Sequence, residues 1–311
     1  MPSEFDLIAR HFTRGTNHTV LGVGDDAALI APTPGCELVI SSDMLVEGTH
    51  FLPDTDPEDL GWKTLAVNVS DLAAMGARPR WATLALSLPD ADEAWLAAYS
   101  SGLFACAKEF GIDLIGGDTT RGPRNLCVTI LGETAAGHAL RRAGASPGDE
   151  IWVSGCPGRA ALGLAHLQGR LVLDDSRRND CVAALLRPQP RVALGLALHG
   201  LASACIDVSD GVLADLGHIL EASGVAATLR LAVSPAPTPD EQAWLAGGDD
   251  YELLFTASPG RHGELETLAG HLGLPLTAIG CIEDGTPGAI DLRDLAGRPV
   301  AFGRRGYDHF A

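Results

Sequence analysis

Apolar and polar positions switch between two periods along this chain, and the switches mark out its elements. In Lys63–Pro79, Leu65, Val69 and Leu72 recur at i, i+4 and i+7, which predicts a helix with an apolar stripe. Thr64, Asn68 and Asp71 recur at the same spacing on another side. Gly76 supplies a C-terminal cap and Pro79 blocks continuation. Asn68 and Asp71 are therefore presented together from one rigid element. Alone, that polar side reads as the solvated face of a surface helix. Its few charges, and its place among several Asp-bearing segments, argue for a site.

The rest of the first half alternates in the same way. Residues 5–14 read as a short amphipathic helix, and Cys36–Asp43 as a buried-type strand running out into Ser41, Ser42 and Asp43. Trp81–Leu88 reads as a strand and Ala91–Phe110 as a helix. Ile112–Thr120 is a strand ending in Gly-Gly-Asp, and Asn125–Ala135 is a further strand. A Gly/Pro-containing connection at Arg141–Asp149 divides the chain into expected domains 1–145 and 146–311.

In the second half, Ile151–Gly155 and Thr228–Val233 read as strands. Gly158–Gln168 and Arg191–His199 read as helices, and the charged stretch 170–190 as an exposed excursion. From Ala204 a strand leads into the turn Ser209-Asp210-Gly211 and a helix through Ser223. Gly247-Gly-Asp-Asp250 is a glycine-rich acidic turn entering a strand that reaches Phe255. Strands alternating with helices define an α/β or mixed α+β architecture.

Charge narrows the function classes. Twenty-two basic against 40 acidic residues leave a net charge of −18 over 311 residues, which disfavours nucleic acid and anionic membrane as partners. No apolar run is long enough to span a bilayer, and the N-terminus lacks a signal-peptide pattern. The seven cysteines are scattered with no Cys-x-x-Cys pair, which argues against a zinc site or disulfide framework and for a reduced, cytoplasmic protein.

Leu21–Ala28 offers Gly-x-Gly, but Asp25 and Asp26 follow where a dinucleotide fold needs phosphate-binding amides, which rejects that reading. The two carboxylates either hold a cation or make an acidic turn. His50 is a base, a ligand contact or a satisfied loop histidine. Asp25, Asp26, Asp43, Asp71, Asp118, Asp207, Asp210, Asp249 and Asp250 all lie beside Gly, Ser or Thr or near apolar runs. Like charges gathered together need cations to neutralise them, and oxygen donors without nearby cysteine point to Mg²⁺ rather than zinc. No Walker-type or protein-kinase signature is present, so any use of ATP must run through carboxylate-bound metal and other glycine-rich turns.

Gly24-Asp-Asp26, Ser42-Asp43 through Glu47-Gly-Thr-His50-Phe, Asn68-Val-Ser-Asp71-Leu-Ala-Ala-Met-Gly-Ala, Gly116-Gly-Asp-Thr-Thr120, Asp207-Val-Ser-Asp-Gly211 and Gly248-Asp-Asp-Tyr-Glu252 occur in one order. In this the chain resembles the thiamine-monophosphate kinases of the aminoimidazole-ribonucleotide synthetase superfamily, over nearly its whole length. The resemblance implies an N-terminal domain whose mixed sheet forms a β-barrel across a homodimer, and an α/β C-terminal domain that completes the nucleotide and substrate site. It implies Mg²⁺-dependent, direct in-line transfer of the ATP γ-phosphoryl group to thiamine monophosphate, the last step of thiamine diphosphate biosynthesis. By motif, Asp26, Ser41, Ser42, Asp43, Asp71, Asp118, Asp207 and Asp210 match its metal ligands. Gly117, Asp118, Arg142 and Ser209 match its nucleotide contacts, and His50, Asp249 and Tyr307 its substrate contacts. No residue is assigned as a general acid or base. Position 249 is commonly Glu in that family, and Asp249 is a methylene shorter. The alternatives are another ATP-dependent synthetase of the superfamily, or a non-catalytic acidic cation-binding protein.

Overall fold

Two main sheets, one in each of two structural units, organise the chain. The computed structural model describes residues 4–234, 236–303 and 306. The first unit runs to Leu72 and resumes over Ala77–Gly137; the second takes Ala73–Gly76 and the described residues from His138 onward.

The first unit opens with a short helix α1 (Glu4–Leu7), which continues as a π-helical turn over Ile8–Phe12. A small hairpin of β1 (Thr19–Leu21) and β2 (Leu29–Ile30) follows. Then come β3 (Cys36–Val46), α2 (Pro57–Ala74), β4 (Arg78–Leu88), α3 (Glu93–Phe110), β5 (Asp113–Arg121) and β6 (Asn125–Ala135). The sheet order is β3-β6-β4-β5, antiparallel except for the β4–β5 pair, which α3 connects as a crossover. Asp92 caps α3 by accepting the N–H groups of Ala94 and Trp95, and Gly111 ends the helix in the left-handed conformation.

The helix α2 departs from the two-faced pattern of its sequence. Leu65, Val69 and Leu72 are buried as expected, but Thr64, Asn68 and Ser70 are fully buried as well. Their polar atoms are satisfied inside: Thr64 Oγ1 donates to the Leu60 carbonyl at 2.7 Å, and Asn68 Nδ2 to the Thr64 carbonyl at 3.1 Å.

The second unit contains β7 (Glu150–Ser154), α4 (Arg159–Leu167), α5 (Asp175–Leu186), α6 (Val192–Ala197), β8 (Ala202–Asp207), α7 (Val212–Ser223), β9 (Ala226–Leu231), α8 (Pro239–Ala246), β10 (Leu253–Ala257), α9 (His262–Leu272), β11 (Leu276–Glu283) and β12 (Ile290–Asp294). Its six strands run in the order β12-β9-β11-β7-β10-β8, antiparallel except for β12–β9. Both faces are covered. Ile151, Val153, Ala204 and Ile206 pack with Leu216, Ile219 and Leu220 of α7. Trp152, Cys205 and Phe255 pack with Leu194 of α6 and Leu265 of α9. Burial on both sides explains the continuous apolar run of β7.

The expected exposed excursion at 170–190 is instead largely the helix α5. Asp174 caps it by accepting the Arg177 N–H at 3.0 Å, and Cys181 packs with Leu162 and Leu173. The many charges of Asp174–Asp180 mask a two-residue apolar contact face, Cys181 and Leu185, one turn apart. Among the described residues no sheet closes into a barrel, and no helix is long and apolar enough to cross a membrane.

Candidate active site

In the first unit, β3 and α2 bring three of the expected groups together. Successive strand residues point to opposite faces, so Ser41 and Asp43 share the face of the sheet that meets α2. Ser41 Oγ donates to Asp71 Oδ2 at 2.5 Å, and the Asp43 N–H donates to Asn68 Oδ1 at 3.0 Å. Asp71 and Asn68 thus both tie β3 to the helix. Burial, followed by the negative charge of Asp71, pushes the Asp43 carboxyl up to about 6. Two neighbouring carboxylates and a hydroxyl form an oxygen-only donor set suited to a small, hard divalent cation.

Two expected ligands lie elsewhere in this unit. Ser42 points to the open face of the sheet, where its hydroxyl meets Thr129 Oγ1 at 2.9 Å and the Val128 carbonyl at 3.1 Å. The cross-strand row Met44–Cys127–Ala85–Asp118 places exposed Asp118 on that same open face. Three strand spacings, roughly 14 Å, separate β3 from β5, so Ser42 and Asp118 stand apart within one chain, and Asp118 lies on the face of the sheet opposite to Asp43. Gly117 is required where it stands: its φ is +145°, and an added Cβ would lie 1.8 Å from the Leu84 carbonyl oxygen. Asp26 occupies an exposed turn in which its N–H bonds the Asp25 carboxylate at 2.8 Å.

His50 closes the turn after β3. The Val46 N–H donates to His50 Nδ1 at 3.0 Å, while the His50 N–H donates to the Val46 carbonyl at 2.9 Å. With Nδ1 accepting, the ring hydrogen of the neutral imidazole sits on Nε2. Arg124 steadies this turn from below. It pairs with Glu47, its guanidinium lies 5.0 Å from the Trp95 ring centroid, and its carbonyl accepts the Glu47 N–H.

In the second unit, β8 ends at buried Asp207, and the chain turns through Ser209 and Asp210 into α7. The segment Gly247–Glu252 lies against this turn. The Asp249 N–H donates to the Ser209 carbonyl at 2.8 Å and the Tyr251 N–H to the Val208 carbonyl at 2.9 Å. The contact needs glycine, since a Cβ at Gly248 would meet the Ser209 carbonyl oxygen at 2.4 Å. Asp249 and Tyr251 have φ of +69° and +54°, a left-handed conformation that costs about 1–2 kcal/mol per non-glycine residue.

Flanking groups hold that strain. Asp250 is buried and accepts the N–H groups of Gly158 and Ala160 at 2.5 and 3.1 Å, at the start of α4; burial pushes its carboxyl up to about 7 against those bonds. It thus caps the start of α4. Glu252 is buried, doubly bonded to Arg191 at 2.6 and 2.7 Å, and accepts Ser154 Oγ at 2.6 Å.

The sequence did not single out Asp215 or His218. They stand three residues apart on one face of α7, and with Asp210 their ligand atoms fall within 4.8 Å of one another. Asp215 also accepts the N–H groups of Asp210 and Gly211, and burial followed by Asp210 pushes its carboxyl up to about 7. The exposed Arg142 is close enough for its charge to act on Asp215. The i, i+3 spacing of Asp215 and His218 after the Ser-Asp-Gly turn was the available signal. Tyr307 lies outside the described residues.

Two mixed α/β units with acidic, glycine-rich turns at strand ends define a class. Residues 24–137 match the N-terminal domain of AIR synthase related proteins, and residues 146–265 match their C-terminal domain. Thiamine-monophosphate kinase of Escherichia coli (strain K12) is 49% identical over 321 aligned positions, covering 99% of this chain and 98% of that protein. The crystal structure of thiamine-monophosphate kinase from Stenotrophomonas maltophilia K279a superposes with a TM-score of 0.83 at 46% identity, covering 95% of each chain. A structure of "AaThiL complexed with AMPPCP and TMP" superposes with a TM-score of 0.77 at 29% identity, covering 93% of this chain and 92% of that one. The chain belongs to the thiamine-monophosphate kinase family within the AIR synthase related proteins.

Proposed function

We propose that this protein transfers the γ-phosphoryl group of ATP to thiamine monophosphate, giving thiamine diphosphate and ADP. The observation that carries this is full-length identity of 49% with the E. coli kinase. The Asp43–Asp71 pair adds a physical reason, because it is an incomplete electrostatic arrangement without a cation.

Asp43, Asp71 and Ser41 are the side chains of the first unit that would hold Mg²⁺; Asp207 and Asp210 are those of the second. Bound there, Mg²⁺ supplies charge neutralisation between two phosphate chains. The residues of the chain do the positioning. Asn68 fixes the backbone of Asp43, and Ser41 fixes one oxygen of Asp71. Gly117 admits a close backbone approach of a phosphate, and Arg142 and Ser209 contact the nucleotide. The His50 Nε2–H donates to a substrate acceptor, and Asp249 attracts the cationic thiazolium, as does the face of Tyr307. The attacking oxygen belongs to a phosphate already anionic near neutral pH, so no protein base is needed. In-line alignment and charge stabilisation supply the catalysis.

Ser42 and Asp118 support a homodimer. The open face that carries them also exposes Leu38, Ile40 and Met44 at 39, 60 and 52%. A second copy packed on that face covers this apolar surface and completes the ligand set that one chain leaves apart. Ile40→Asp is expected to shift the protein to a monomer by light scattering; an unchanged mass counts against this interface.

The deciding experiment is product analysis with ATP, Mg²⁺ and thiamine monophosphate, with free thiamine as the control acceptor. Thiamine diphosphate and ADP in equal amounts, dependent on the monophosphate, are expected. ADP release with no acceptor requirement, or with a different acceptor, favours another synthetase of the superfamily. No ATP consumption favours a cation-binding protein.

A further inference from the structure

Among the described residues, Asp249 and Tyr251 are the two non-glycine residues with positive φ, and they stand two apart in one turn. The residues alternating with them face inward and are locked: Asp250 on the N–H groups opening α4, and Glu252 on Arg191 and Ser154. Backbone bonds from Asp249 and Tyr251 to Ser209 and Val208 fix the other edge, and the Val208 N–H returns a bond to the Glu252 carbonyl at 2.8 Å. A backbone strained at two places and anchored at four is over-determined, and such strain persists where a precise geometry is held. On its outer side Tyr251 Oη donates to Asp249 Oδ1 at 2.9 Å. Both side chains are half-buried.

We propose that Tyr251 is a positioning residue for substrate recognition: its phenol hydroxyl fixes the orientation of the Asp249 carboxylate toward the cationic part of thiamine monophosphate. This rests on the reading of Asp249 as a substrate contact. A short acidic side chain in a turn rotates freely about χ1 and χ2, and ordering it on binding weakens affinity. A phenol bond to one oxygen sets the carboxylate plane before the substrate arrives. In this role the hydroxyl acts on the carboxylate and not on the reacting groups, so its loss is expected to weaken binding and leave the transfer step alone.

The test compares Tyr251→Phe, Asp249→Asn and the double variant in steady-state kinetics. Direct titration of thiamine monophosphate into each protein, and thermal melts, accompany the kinetics. Tyr251→Phe keeps the ring and the backbone conformation and deletes only the hydroxyl. It is expected to raise KM and Kd for thiamine monophosphate about three- to tenfold, the size of the net contribution of one ordinary hydrogen bond. KM for ATP, kcat and the melting temperature are expected to stay near those of the parent protein. Asp249→Asn is expected to weaken thiamine monophosphate binding more, and the double variant no further than Asp249→Asn alone, because the tyrosine acts through the aspartate. Unchanged binding in Tyr251→Phe beside weakened binding in Asp249→Asn overturns the proposal and leaves Asp249 as a contact. Additive losses in the double variant, or a fall in kcat and ATP affinity along with it, overturn it as well. Unchanged binding in Asp249→Asn overturns the underlying reading of Asp249 itself. Should Tyr251→Phe lower the melting temperature, direct titration below its melt keeps the binding comparison decisive.

Discussion

Asp43→Asn is expected to stabilise the metal-free protein while destroying its response to Mg²⁺. In the native chain, burial and the neighbouring Asp71 raise the Asp43 carboxyl from its ordinary 3.8 to about 6. The native state therefore holds this proton more tightly than the unfolded chain does. Stability from the group is complete below pH 3.8 and is lost as pH rises through about 6. At 1.36 kcal/mol per pH unit, the ionised carboxylate costs the folded protein up to about 3 kcal/mol above pH 7. Asparagine removes the charge and retains a polar, hydrogen-bonding group, which has a desolvation cost of its own, so a gain of about 1–2 kcal/mol is expected. For a unit of this size that is a rise of roughly 3–6 °C in melting temperature.

The assay is differential scanning calorimetry of the parent and Asp43→Asn proteins in EDTA at pH 5 and pH 8, repeated with excess Mg²⁺. The advantage of the variant should be present at pH 8 and shrink at pH 5, where the parent carboxyl is largely protonated. Mg²⁺ should raise the melting temperature of the parent protein and act much less on the variant. A variant that melts below the parent protein in EDTA at pH 8, or one that responds to Mg²⁺ as fully as the parent, refutes the reasoning. Asp43 would then be a structural carboxylate and not a half-neutralised ligand.

Three further outcomes are expected. Asp71→Asn should lower turnover by a factor on the order of 10³ or more with its fold retained by circular dichroism, since it removes charge from the proposed metal site; near-native turnover at saturating Mg²⁺ counts against the metal assignment. His50→Ala should raise KM for thiamine monophosphate more than it lowers kcat, because the ring is placed to donate from Nε2 and not to remove a proton; steady-state kinetics showing an unchanged profile reduce His50 to a loop closure. Gly117→Ala should destabilise the protein by about 3 kcal/mol or more in urea melts, since a Cβ there meets the Leu84 carbonyl and β5 must shift; a loss below ~1 kcal/mol shows that the strand yields easily.

Much of the fold is legible because it is written in local period. The apolar run of β7 and the glycine endings of α2 and α3 lie within single segments, whereas β3, expected as a buried-type strand, leaves Leu38, Ile40 and Met44 exposed on one face because no element among the described residues covers it. The helix α5 was hidden because its charged first turns outweigh the two buried positions, Cys181 and Leu185, that seat it. The glycine-flanked aspartates stood out for a local reason too: tight turns at strand ends need glycine whatever surrounds them.

What each aspartate does was not legible. Asp249 and Asp250 are neighbours of the same type, yet one stands half-exposed in a left-handed conformation and the other caps α4 from a buried position. Ser41 and Ser42 are likewise adjacent, and strand parity sends one to Asp71 and the other to the open face. By itself the sequence determined where many of the strands and helices run, which turns demand glycine, and that carboxylates crowd the strand ends. Only the tertiary structure decided which carboxylates share a face, which are helix caps, and that the polar side of α2 is buried. Adjacency on the chain is set by covalent geometry. Burial and charge proximity are set by partners such as Asn68 and Asp43, or Asp250 and Gly158, which lie 25 and 92 positions apart.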